Sequence, residues 1–174
     1  AEAGRSAGLL RLPSEEELSK MAQAMTIAAQ TAYRRNDIRA AYQSMRNALQ
    51  TGRAGLRAYS DLSLIAHKAG HPGEALEATQ LLIENKESPA MAATGWFNRG
   101  LICSEANRPW IFHNGRSYCQ ETPLYAFLRA WSLVPSDAAR KKVQETFDAP
   151  SPTVCSKETS ARKYYAVLAN GVEG

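Results

Sequence analysis

Residues 21–49, MAQAMTIAAQTAYRRNDIRAAYQSMRNAL, decide the fold. Small and apolar residues recur every three or four positions on both sides of Asn36-Asp37, the spacing of two helices each presenting one face to a neighbour. Asn36-Asp37 reads as the short turn between them, since both residue types favour local turns. The stretch therefore predicts a helix, a tight reversal and a second helix. A second segment at residues 56–85, LRAYSDLSLIAHKAGHPGEALEATQLLIEN, has the same plan. Ala41, Met45 and Ala48 reappear 34 positions later as Ala75, Thr79 and Leu82, and Asn36-Asp37 as Gly70-His71. Small residues at the expected crossings (Ala29, Ala32, Ala41, Ser63, Ala66, Ala75) allow the paired helices to approach closely.

A third unit starts at Trp96, with Gly100 and Cys103 four and seven positions on, and resumes at Phe127, Ala130 and Pro135. A 34-residue period with Trp, Gly and an inward residue on the first helix, then a large apolar residue, Ala and Pro on the second, resembles the tetratricopeptide repeat. The resemblance spans roughly residues 20–137. It implies an all-α fold: a right-handed superhelix of antiparallel helix pairs, about three repeats and a capping helix. The match departs from the family at Ala29 and Ala32, where Gly and Tyr are usual, and in the second repeat, which lacks the terminal Pro. The third repeat carries about 11 extra residues between its helices, an insert over 106–121.

End signals agree with these boundaries. Ser14 and Glu17 form a capping box, Ser88-Pro89 and Thr122-Pro123 each offer an N-cap followed by Pro at the first helical position, and Gly52 and Gly70 stand where helices stop. Residues 136–147, SDAARKKVQETF, read as the polar-faced helix that closes a repeat array. The organisation expected is a flexible segment over 1–13, the repeat domain over 14–147, and a linker with a tail helix over 148–174.

The chain has 174 residues, 44% of them hydrophobic, a size and composition that support one packed domain. No apolar run approaches the ~20 residues of a bilayer span, so no membrane crossing is expected. The start AEAGRSAGLLRLP has no basic region followed by an apolar core, so no signal peptide is expected within it, though its small residues suit the remnant of a cleaved one. Net charge is +4 and the cations are scattered, without a nucleic-acid motif, which argues against nucleic acid and for an acidic protein or peptide partner.

Cys103 and Cys119 bracket the insert, CSEANRPWIFHNGRSYC, with fifteen residues between them. A disulfide across a loop of that size is worth about 3 kcal/mol in the chain-entropy model. It is the leading reading and implies an oxidising, periplasmic or otherwise extracytoplasmic compartment. Pairing with Cys155, buried free thiols, and a metal site of Cys103, His113 and Cys119 are the alternatives. The last has spacings that match no common zinc pattern. No redox CxxC and no nucleophile–base motif occurs, so no catalytic residue, metal or cofactor is assigned.

The resemblance implies a partner-binding groove on the first helix of each repeat. Carried over, its positions are Gln23, Thr26, Gln30, Tyr33 and Arg34; then Arg57, Ser60, Leu64, His67 and Lys68; then Thr94, Phe97 and Leu101, with Ser104 and Glu105 beyond. The positions where some family members clamp a C-terminal carboxylate hold Thr26, Gln30, Asp61, Thr94 and Asn98, none of them a cation, so a cochaperone role is not expected. Trp110, Ile111 and Phe112 in the insert either pack back on the repeats, the commoner fate, or await a partner. The function expected is a protein-interaction scaffold or adaptor, an accessory or assembly factor of a bacterial envelope system. The alternatives are a cytoplasmic secretion chaperone built from the same repeats, and a metal- or thiol-dependent enzyme using Cys103, His113 and Cys119.

Overall fold

A computed structural model describes residues 11–105, 111–118, 123–148, 161–163 and 165. The fold is helical: α1 (Glu15–Arg34), α2 (Ile38–Gln50), α3 (Arg57–Lys68), α4 (Pro72–Ile83), α5 (Pro89–Glu105), α6 (Pro123–Leu133) and α7 (Asp137–Asp148). A hairpin of β1 (Ile111–His113) and β2 (Arg116–Tyr118) lies between α5 and α6. The chain forms two compact units, residues 1–58 and 59–174.

In the first unit α1 packs on α2. Ser14 caps α1 by accepting from the Glu17 amide at 3.1 Å. Arg53, in the loop after α2, donates through two guanidinium nitrogens to both carboxylate oxygens of Glu15. This hydrogen-bonded pairing holds the Glu15 carboxyl below its ordinary range. Ala22, Ala29, Ala41, Met45 and Ala48 are buried, so Ala29 and Ala41 of the expected crossing lie inside, whereas Ala32 is half-buried.

The reversal after α1 recurs after α3 in the same geometry. Asn36 has φ 61° and Gly70 φ 86°, the left-handed conformation that ends a helix and favours Gly or Asn. The Asp37 amide donates to Ala32 O at 2.9 Å and the Asn36 amide to Tyr33 O at 3.0 Å; His71 donates to Ala66 O at 2.8 Å and Gly70 to His67 O at 3.1 Å. Each is a Schellman motif, and the 34-residue period is thus a repeat of backbone hydrogen bonding as well as of side chains. One boundary differs from the sequence expectation. Pro72 and Gly73 belong to the first turn of α4 rather than to the loop, because Pro at the first helical position lacks only an N–H that would be unpaired there anyway.

In the second unit α4, α5, α6 and α7 pack in chain order. Helix α5 is approached closely on two sides. A Cβ on Gly95 would come within 2.8 Å of Leu82 Cβ and 2.9 Å of Thr79 O, both on α4. A Cβ on Gly100 would lie 2.5 Å from Phe127 Cε1 on α6. Absence of a side chain at these two positions sets the helix separation. Buried Arg99 fastens α5 to α4, donating to Thr79 Oγ1 at 3.1 Å, to Gln80 Oε1 at 2.7 Å and to Leu76 O at 3.4 Å, with its guanidinium 5.4 Å from the Trp96 ring centre. Buried Asn98 fastens it to α3 through Ser63 Oγ at 3.0 Å and Ser60 Oγ at 3.3 Å. The core centres on Leu124, Phe127, Leu128 and Val143 and continues into the tail, where Ala161 is buried and Tyr165 packs edge-on to Phe147. Arg162 donates to Phe147 O at 2.9 Å, which satisfies an open carbonyl at the end of α7. The expected tail helix is helical at 161–163 and 165 and docked on α7; its other positions lie outside the described residues.

Candidate interaction surface

The groove positions expected from the sequence fall in both units, and each unit is considered by itself. In the first, Gln23 and Arg34 are exposed, whereas Thr26, Gln30 and Tyr33 are half-buried on α1. Thr26 Oγ1 donates back to Ala22 O at 2.8 Å. Arg57 is exposed at the start of α3.

In the second unit Lys68 is exposed and Ser60, Leu64, His67, Thr94, Phe97 and Leu101 are half-buried. Two of these have intramolecular tasks that sequence alone does not show. Ser60 accepts from Asn98 through its hydroxyl and, at 3.4 Å, its carbonyl. His67 Nε2 pairs with Glu105 Oε2, joining the end of α3 to the end of α5. Phe97 meets Phe127 edge-on at 5.5 Å, and Leu101 packs on the same cluster.

Thr94 and Phe97 do come together, in a cleft of about 300 Å³. Ala90, Ala93, Thr94 and Phe97 of α5 form one wall, Ala130 of α6 and Val134 after it the floor, and Ser136, Ala138 and Ala139 the other wall. Five of the nine lining residues are alanines, so the walls are methyl groups on helical backbone and the one aromatic ring is that of Phe97. Its hydroxyls are already engaged: Thr94 Oγ1 donates to Ala90 O at 2.9 Å, and Ser136 Oγ accepts from the Ala139 amide at 3.1 Å. A cleft of this size and lining suits one or two apolar side chains, and it lacks the convergent polar groups by which small-molecule sites orient a substrate. The sequence assigned only its α5 wall, because α6 and α7 meet α5 through tertiary packing that a repeat alignment of first helices does not include.

Within the insert, read as a loop from the sequence, residues 111–118 form a hairpin. Asn114 (φ 49°) and Gly115 (φ 74°) both have positive φ, as a two-residue type I′ turn requires. The missed signal was the Asn-Gly pair between Ile-Phe-His and Arg-Ser-Tyr. Strand pairing sets Ile111 opposite Tyr118, Phe112 opposite Ser117 and His113 opposite Arg116. The hairpin packs back on α4. A Cβ on Gly73 would sit 2.7 Å from His113 Cβ, so the imidazole lies directly on helix backbone. His113 Nε2 is 2.8 Å from Glu77 Oε2, Asn114 Nδ2 donates to the same oxygen at 3.2 Å, and Arg116 is 3.9 Å from Glu84. Gly73, Glu77 and Glu84 share one face of α4, at spacings of i+4 and i+11. Trp110, and the side chains of Ile111 and Phe112, lie outside the described residues.

Cys103 is 9% exposed near the end of α5, and Cys119 and Cys155 lie outside the described residues. Among the described residues no three His, Cys, Asp or Glu side chains stand together as metal ligands, and no helix is long and apolar enough to cross a membrane. Compared with known proteins, the chain matches no family model and no curated sequence.

Proposed function

We propose that this chain is a tetratricopeptide-type interaction module that binds a segment of a partner protein on its second unit, with an apolar side chain of the partner seated between α5, α6 and α7. The observation that carries the reading is the methyl-lined cleft floored by Ala130 and Val134, which opens beside Thr94 and Phe97. Exposed Lys68 at the end of α3 and the net charge of +4 favour an acidic partner segment. A disulfide between Cys103 and Cys119 would close the connection that carries the hairpin, and it suits an accessory or assembly factor working in a bacterial periplasm or another oxidising compartment.

The experiment is affinity capture from envelope extract with the intact protein and two variants. Ala138→Arg fills the cleft from an exposed lining position, and the double variant Arg57→Glu with Lys68→Glu reverses the charge of α3. A partner retained by the wild type and lost by Ala138→Arg, with circular dichroism unchanged, supports the reading. Equal recovery of every partner by all three proteins discards it.

A further inference from the structure

Helix α1 turns Ala22 and Ala29 into its pair with α2 and leaves a second apolar stripe open on the other side. Met21 is 41% exposed and Ile27 53% exposed, and Ala24 and Ala28 beside them are exposed as well. At 100° per residue these four positions lie within an arc of about 120°, the width of a helix face that packs on another helix. A single exposed isoleucine needs no explanation, whereas four apolar residues at intervals of three and four form a seam.

Charge says what covers it. The first turn of α1 carries Glu15, Glu16 and Glu17, and the helix ends in Arg34 followed by Arg35. We propose that this face pairs with the same face of a second copy, antiparallel, about a two-fold axis between residues 25 and 26. That register sets Glu17 and Glu16 opposite the second copy's Arg34 and Arg35, twice by symmetry, and opposes the two helix dipoles. A parallel pair would instead stack the glutamates of one copy on those of the other. Ala24 then faces the second copy's Ile27, small against large, which brings the axes to the near end of the usual 8–10 Å separation. The bonds of Glu16 to Lys20 at 3.3 Å and of Glu17 to Arg11 at 3.2 Å are exposed surface pairs and exchange for the new ones at little cost.

One seam from a 20-residue helix buries less than the ~1,000 Å² typical of a persistent interface, so the association is weak and reversible, with a dissociation constant on the order of 100 µM. Sedimentation of the full chain from about 5 to about 500 µM tests it. The wild type is expected to move from monomer to dimer over that range, and Ile27→Glu to stay monomeric with unchanged circular dichroism. Leu81→Glu, at a 42% exposed leucine on α4, is expected to dimerise as the wild type does. The variant Arg34→Gln with Arg35→Gln separates the orientations: antiparallel pairing weakens by about tenfold at ~0.05 M salt, while parallel pairing tightens as like charges are removed. Tightening overturns the antiparallel arrangement. A wild type that stays monomeric throughout, or an Ile27→Glu variant that dimerises as well as the wild type, overturns the proposal and leaves the face to a different protein.

Discussion

Replacing Gly100 by Ala adds one methyl group at the closest helix contact in the second unit. The new Cβ would stand 2.5, 2.7 and 2.8 Å from three atoms of the Phe127 ring. Ordinary carbon contacts begin near ~3.5 Å, so about 1 Å of movement is needed. The ring is 1% exposed, enclosed by Leu124, Leu128 and Val143 and met edge-on by Phe97, and it has nowhere to retreat. Overpacking of this kind costs roughly 1–3 kcal/mol, and a clash with three ring atoms belongs at the upper end. The helix itself gains about 1 kcal/mol when Gly becomes Ala. The net expectation is a loss of about 2 kcal/mol, or a Tm lowered by roughly 4–8 °C for a chain of this size. All three tryptophans, at 96, 110 and 131, lie in residues 59–174, so urea titration followed by tryptophan fluorescence reads this unit. The midpoint should fall at constant slope. Adding Phe127→Leu to Gly100→Ala should recover at least about 1 kcal/mol of coupling relative to the sum of the single changes. A Gly100→Ala protein as stable as the wild type, or more so, would show that the helices meet through some other contact and refute the packing argument.

Three further outcomes are expected. Asn98→Ala removes the donor to Ser60 and Ser63, while the Ser63 hydroxyl keeps its own bond to Ser60 O at 2.7 Å, so the cost is about 1 kcal/mol, read in the same titration. Thiol titration of the unfolded chain should find one reactive cysteine without reductant and three with it, and peptide mapping of the oxidised form should place Cys103 with Cys119; a Cys103–Cys155 peptide would reject that pairing. Glu15 has a carboxyl lowered chiefly by hydrogen bonding from Arg53, so its contribution is present above the unfolded carboxylate pKa and is lost as pH falls through the lowered folded value. Glu15→Gln should therefore flatten the acid limb of the stability profile slightly and leave neutral and alkaline behaviour unchanged.

Helix pairs were legible because the repeat shows itself at the level of turns. Asn36-Asp37 and Gly70-His71 are unlike in sequence yet alike in conformation, and each bears a residue that tolerates positive φ followed by a helix cap. The face of α5 that bears Thr94 and Phe97 was legible for the same reason. Three things were not. Ser60 and His67 look like surface residues on their own helix, and only packing shows Asn98 and Glu105 reaching them. The α6 and α7 walls of the cleft depend on how the third helix pair closes. The hairpin was hidden because its strands are three residues each, too short for alternation to register, so that only the Asn114-Gly115 pair signals it.

Because α5 meets α6 through Gly100 and Phe127, their union does not depend on what the intervening chain does. A different hairpin, a longer arm or a short linker could be exchanged at the same two ends without retuning the scaffold, provided the Gly73 and Glu77 landing on α4 is matched or abandoned. The hairpin and the α5–α6 packing thereby rest on separate residues, and one can change while the other stands still.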